Sequence, residues 1–101
     1  DVILSGGETV YSIEVENVLY QHAAVLEVAV FGMPDEHWGE RVCAAVVLRP
    51  GVSATAEELV EFCRGALAGY KLPRSITFMA ELLRTGSGKI SKQRLRAREL
   101  E

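Results

Sequence analysis

Arg41-Val42-Cys43-Ala44-Ala45-Val46-Val47-Leu48 decides the fold. A strand with one wet face alternates apolar and polar side chains, but the seven residues after the arginine are all apolar. The stretch is therefore predicted as a central strand, buried on both faces. Arg49-Pro50-Gly51 closes it.

Upstream, residues 26–31 read as a neighbouring strand, Gly32-Met33-Pro34-Asp35 as a turn, and Glu36-His37-Trp38-Gly39 as a helical turn or loop. Downstream, Thr55-Ala56-Glu57-Glu58 is a capping box, in which the Thr55 hydroxyl and the Glu58 carboxylate can each satisfy a free backbone N–H. The helix it opens is predicted to run to residue 67. Leu59, Cys63 and Leu67 form its buried stripe, Val60, Phe62 and Ala66 widen that stripe, and Gly69 stops the turn. A strand over residues 75–79 and a helix starting near Ser91 complete this half.

At the other end, Val2-Ile3-Leu4 and Thr9-Val10 flank the turn Ser5-Gly6-Gly7-Glu8 and predict a small hairpin. Ser12 then introduces a helix with Val15, Val18, Leu19 and His22 on one stripe and Glu14, Glu16, Asn17 and Gln21 on the outer face. His22, at the end of the stripe, is expected to cap or pack rather than catalyse. The order predicts an α+β domain over residues 1–101, with a small mixed β-sheet flanked by helices and preceded by a short β-hairpin. No repeat, linker or low-complexity stretch interrupts it.

A chain of 101 residues can bury roughly 65% of its unfolded surface and fold without staples. Its 49% hydrophobic and 25% charged content is that of a soluble globular protein, and no apolar run is long enough to cross a bilayer. The opening apolar run is short and lacks a basic region before it, so no signal peptide is expected and the setting is expected to be cytoplasmic. Cys43 and Cys63 read as small core residues, and they form no metal-binding spacing with His22 or His37. No metal site is expected in the chain.

The net charge of −3 conceals an asymmetry. Residues 1–40 carry eight acidic side chains and no Lys or Arg, whereas residues 84–101 carry six basic against two acidic. Arg94, Arg96 and Arg98 alternate, which on a helix spreads them over a broad solvated surface. Nucleic acid is excluded as a partner, because the domain is acidic and no aromatics are interleaved with the basic residues of the tail.

Chemistry concentrates in Arg84-Thr85-Gly86-Ser87-Gly88-Lys89-Ile90-Ser91-Lys92. A phosphate-binding P-loop would need a glycine at position 83 and Ser or Thr at position 90, where Leu83 and Ile90 stand. Two readings remain from composition. Either Lys89 is carried outward to a phosphate or carboxylate, or the stretch is a solvated glycine turn before a helix.

Asp1-Val2-Ile3-Leu4-Ser5-Gly6-Gly7-Glu8, Glu14-Val15-Glu16, Gly32-Met33-Pro34-Asp35, Trp38-Gly39-Glu40, Tyr70-Lys71-Leu72-Pro73 and Arg84-Thr85-Gly86-Ser87-Gly88-Lys89 occur in this order. The series resembles the C-terminal domain of acyl-CoA synthetases, in the adenylate-forming superfamily that also holds firefly luciferase and peptide-synthetase adenylation domains. Ser5-Gly6-Gly7-Glu8 looks like the CoA-ligase form rather than the arginine-rich peptide-synthetase form. Leu83 departs from the family, which commonly has proline there, and a leucine predicts a more mobile approach to Lys89.

The resemblance implies a mobile lid on a larger enzyme whose N-terminal domain holds ATP and the acyl pocket. That enzyme joins a carboxylic acid to ATP, giving acyl-AMP and pyrophosphate, and then moves the acyl group to the thiol of CoA. Lys89 would be catalytic in the first step, Asp1 the hinge, and Gly6, Gly7, Glu8 and Trp38 parts of the CoA or pantetheine channel. Trp38 alternatively packs on the core. Lys71 and Arg84 would contact phosphates or the partner domain, with surface solvation an equal reading for Lys71. ATP, CoA and Mg2+ are implied for the full-length enzyme, none of them bound by this domain alone, which is expected to be inactive in isolation. Two other readings stay open: a lid acting with a carrier-protein acceptor, and a non-catalytic interaction module with acidic and basic docking surfaces.

Overall fold

The computed structural model describes residues 1–100. It contains β1 (Val2–Ser5), β2 (Glu8–Tyr11), α1 (Ser12–Tyr20), β3 (Val25–Asp35), β4 (Gly39–Leu48), α2 (Ala56–Arg64), a 3-10 turn (Gly69–Lys71), β5 (Ser75–Phe78) and α3 (Lys92–Glu99). The five strands form one sheet in the order β2-β1-β4-β3, with β5 also on β4. All pairings are antiparallel except β4 with β5. Parallel neighbours need a long crossover, and α2 supplies it.

β4 is central, as its unbroken apolar run predicts. Residues 42–47 are all buried, and successive side chains point to opposite faces. Val42, Ala44 and Val46 join Val28 and Val30 under α1 and α2, which contribute Val15, Leu19, Leu59 and Cys63. Cys43, Ala45 and Val47 join Ala29, Phe31 and Met33 on the other face, covered by Leu82 and by Leu95 of α3. The result is three layers, helices on both sides of a small mixed sheet. Both cysteines are buried and free.

Several local expectations are corrected. Gly32-Met33-Pro34-Asp35 is not a turn, because it extends β3 in register with residues 39–42 of β4. The reversal falls at residues 36–38, where Asp35 Oδ1 accepts from His37 N at 2.8 Å and Trp38 N at 2.9 Å. These two backbone donors, Trp38 first, hold the Asp35 carboxyl below the usual aspartate range.

Ser12 lies inside α1 rather than capping it, since Tyr11 occupies the N-cap. Its N–H and hydroxyl donate to Asp1 O at 3.1 and 3.3 Å. α2 ends at Arg64 with Gly65 as its C-cap, short of residue 67, and Gly69 opens the 3-10 turn instead of stopping a helix. At the start of α2 the Thr55 half of the expected capping box forms, with Thr55 Oγ1 accepting from Glu58 N at 3.1 Å, while the Glu58 carboxylate makes no return bond among the described residues. His22 packs as expected, edge-on to Phe62 at 5.0 Å between ring centroids.

Candidate functional site

The Lys89 arm is a small closed hairpin. Leu82 is buried and Leu83 packs against the second core cluster, after which the chain leaves the body. Arg84 and Ile90 form an antiparallel bridge, Thr85 N donates to Lys89 O at 2.7 Å, and Gly88 N donates to Thr85 O at 2.9 Å. Gly88 makes the return at φ +90°, a conformation that side chains with a Cβ avoid. Ile90 then re-enters the core cluster, and Ser91 caps α3 by accepting from Arg94 N at 3.2 Å.

Leu83 sits at the base of the arm. Its side chain packs against the second core cluster, and its carbonyl accepts from Ser91 N at 2.8 Å. Lys89 itself is exposed, and its ammonium takes part in no ion pair among the described residues.

The other expected cations are engaged within the domain. Arg84 pairs with Glu27 and donates to Gly88 O at 3.1 Å, stapling the arm to β3. Lys71 Nζ lies 2.9 Å from Glu14 Oε1, and this hydrogen-bonded pairing raises its pKa. Glu16, expected on the outer face of α1, turns inward to accept from Val30 N at 2.8 Å and to pair with Lys92 at 3.0 Å. The basic tail is thus only partly a solvated surface: Lys92 and Arg96 face the acidic N-terminal half.

Gly6, Gly7, Glu8 and Trp38 meet at the tip of the β1–β2 hairpin. Gly6 and Gly7 form the turn at φ +59° and +81°, and Gly6 N donates to Trp38 O at 2.8 Å. Trp38 is half-buried and lies in neither core cluster, which corrects the core-packing reading. One face of its ring carries the Arg74 guanidinium, 4.0 Å from the ring centroid. Glu8 is exposed beside the turn. Asp1 is paired with Lys92 at 3.2 Å and Arg96 at 3.8 Å. Sequence reading gave Lys92 and Arg74 no role, because neither belongs to a spacing that marks a partner.

These groups do not converge. A groove of about 420 Å3 runs between α2 and residues 73–76, and none of its lining residues belongs to the Lys89 arm. No cluster of three His, Cys, Asp or Glu that could hold a metal occurs among the described residues. No described helix is long and apolar enough to cross a membrane. Among the described residues the arrangement offers one exposed lysine ammonium on a braced arm.

The sequence profile of the AMP-binding enzyme C-terminal domain matches residues 14–89. An acetate–CoA ligase of Humulus lupulus is 46% identical over 106 residues, covering 100% of this chain and 18% of the ligase. The crystal structure of a Brucella canis acyl-CoA synthetase superposes with a TM-score of 0.91 at 44% identity, over 99% of this chain and 19% of that one. The Bacillus subtilis o-succinylbenzoate CoA synthetase, solved with its acyl-adenylate intermediate, gives 0.87 at 40% identity over 95% and 19%. The chain therefore spans about a fifth of the length of the relatives it matches.

Proposed function

The chain belongs to the AMP-binding enzyme C-terminal domain family, and from that premise we propose that it is the mobile lid of an ATP-dependent acyl-CoA ligase. The ligase joins a carboxylic acid to ATP and then passes the acyl group from AMP to CoA. In the first step Lys89 enters the active site of a preceding domain. Its ammonium opposes the negative charge that develops as the carboxylate displaces pyrophosphate at the α-phosphorus, an effect worth about 3 kcal/mol or more in barrier height.

In the second step the lid turns about Asp1 and presents the hairpin tip. Gly6 and Gly7 leave room for a narrow pantetheine arm, with Glu8 and Trp38 flanking it. Lys71 and Arg84, tied to Glu14 and Glu27, shape the faces that meet the other domain.

The observation that carries the reading is the exposure of Lys89, a cation on a braced arm that takes part in no ion pair among the described residues. The names of the relatives add support, since they are CoA ligases and one was solved with an acyl-adenylate.

The test is a half-reaction assay on the full-length protein. Lys89→Ala should reduce acyl-AMP formation roughly 100-fold or more while transfer from supplied acyl-AMP to CoA continues. Equal loss in both steps removes the one-step role. Transfer to a carrier-protein pantetheine but not to free CoA would move the reading to the carrier-dependent lid, and no adenylation at all to the interaction module.

A further inference from the structure

Lys92 has no part in the reading above, yet three oxygens stand within 3.2 Å of its ammonium, one as a hydrogen-bond acceptor and two as ion-pair partners. An ammonium offers three donors, and around Lys92 Nζ stand Glu16 Oε2 at 3.0 Å, Ser12 Oγ at 3.1 Å and Asp1 Oδ2 at 3.2 Å. The site is built rather than solvated, since the side chains of Lys92 and Glu16 are only 24% and 14% exposed. Glu16 Oε2 is held in turn by Val30 N at 2.8 Å. Arg96, one turn along α3, adds a second cation 3.8 Å from Asp1 Oδ2 and anchors itself by donating to Gly32 O at 3.1 Å.

Asp1 is thereby gripped twice. Its carboxylate is held by α3 through Lys92 and Arg96, and its carbonyl by α1 through the N–H and hydroxyl of Ser12. With the side chain and the C=O both fixed, the N–Cα bond is the one of its two backbone torsions that can turn without breaking these contacts. Lys92 also lies three residues beyond Lys89, across Ile90 and Ser91, which are themselves anchored in the body.

We propose that Lys92 is a positioning residue: it locks Asp1, α1 and the Lys89 arm into one rigid body, so that a turn at Asp1 is delivered undiminished to the Lys89 ammonium. This rests on Asp1 being the hinge and Lys89 the adenylating lysine. Misplacing a reacting group by about 1 Å can cost on the order of 100-fold in rate. A loosened clasp therefore reduces the step that uses Lys89 and spares the step that does not.

The experiment compares Lys89→Ala, Lys92→Met, Lys92→Arg, Asp1→Asn and the Lys92→Met/Asp1→Asn double variant in the full-length enzyme. Adenylation is read as pyrophosphate release with acetate, octanoate or palmitate, whichever the unmodified enzyme uses fastest, and transfer as thioester formation from the matching synthetic acyl-AMP and CoA. Lys92→Met should lower adenylation roughly ten- to hundred-fold and leave transfer within about two-fold. Lys92→Arg, which keeps the charge, should recover part of the loss. The double variant should be no worse than the more damaging single change, because both break one clasp.

Unchanged adenylation in Lys92→Met, equal loss in both steps, or multiplied losses in the double variant would each overturn the proposal. If Lys92→Met does not fold, Lys92→Arg and Asp1→Asn still decide, since a purely structural role predicts equal losses in both steps from each. Lys89→Ala separates this failure from that of the parent reading. Intact adenylation there defeats the parent, whereas a loss there with Lys92→Met unaffected defeats only the positioning role.

Discussion

Gly6 and Trp38 touch so closely that a methyl group does not fit between them: a Cβ at position 6 would stand 2.8 Å from Trp38 Cε3. The backbone adds a second constraint, φ +59°, and the Gly6 N–H donates to Trp38 O at 2.8 Å. Gly7, at φ +81°, faces open space.

Gly6→Ala should therefore destabilise the domain by about 2 kcal/mol, and Gly7→Ala by about 1 kcal/mol. For a chain of this size each kcal/mol lowers Tm by roughly 4–8 °C. Thermal unfolding followed by the emission of Trp38, the sole tryptophan, checks both, and Gly6→Ala alone should shift the folded-state emission. Equal Tm values for the two variants would show that the ring yields without cost.

Phe31, on β3, is fully buried on the sheet face that α3 covers, whereas Phe78 is 39% exposed at the end of β5. Phe31→Ala should cost about 3–5 kcal/mol, a large share of the total stability of a small domain, and Phe78→Ala less than about half of that. Urea midpoints at constant m-value measure the difference.

Burial pushes both thiols, Cys43 and Cys63, above the ordinary cysteine pKa. A raised folded pKa gives stability that is complete below the unfolded value, near 8.5, and is lost as pH rises beyond it. The folded domain should resist an aromatic disulfide reagent at pH 8, and both thiols should react at once in denaturant. Rapid labelling of Cys43 without denaturant contradicts its place beneath α3.

Asp35 behaves in the opposite sense. Its pKa is lowered first by Trp38 N and then by His37 N, so its contribution is present above the unfolded value, about 3.9, and is lost as pH falls through the lower folded value. Asp35→Ala should flatten the acid limb of the stability curve below about pH 4. A limb as steep as that of the unmodified domain would locate the acid sensitivity elsewhere.

Lys89→Ala should leave the stability of the 101-residue domain almost unchanged, within about 0.5 kcal/mol, because the side chain is exposed and unpaired among the described residues. Neutral stability together with lost adenylation would separate chemistry from folding. A marked fall in Tm would assign the lysine a structural duty.

What could be read in the sequence was local. The β4 run, the hairpin around Gly6-Gly7 and the Thr55 cap each carry their signal within a few residues. Gly32-Met33-Pro34-Asp35 is made of turn-forming residues, but pairing with residues 39–42, distant information that no local propensity carries, keeps the chain extended. Glu16 and Lys92 were hidden for a related reason, since a charge on a helix reads as solvated until its partner, far along the chain, is known. For the candidate site, the order of short blocks pointed to Lys89 and the hairpin tip, but no spacing announces the clasp at Asp1 or the Arg74–Trp38 stack.

The pairing of Lys71, Arg84, Lys92 and Arg96 with the acidic half has a further consequence for how this lid would find its nucleotide. Much of the basic tail is neutralised at short range, and the remainder belongs to a body of net charge −3, which repels polyanions such as ATP and CoA from afar. Screening at physiological salt, over about 8 Å, shrinks that repulsion without reversing it. On the function proposed above, a covalent tether to the nucleotide-binding domain would supply the high effective concentration that brings Lys89 to the phosphates, and its charge would act only on arrival.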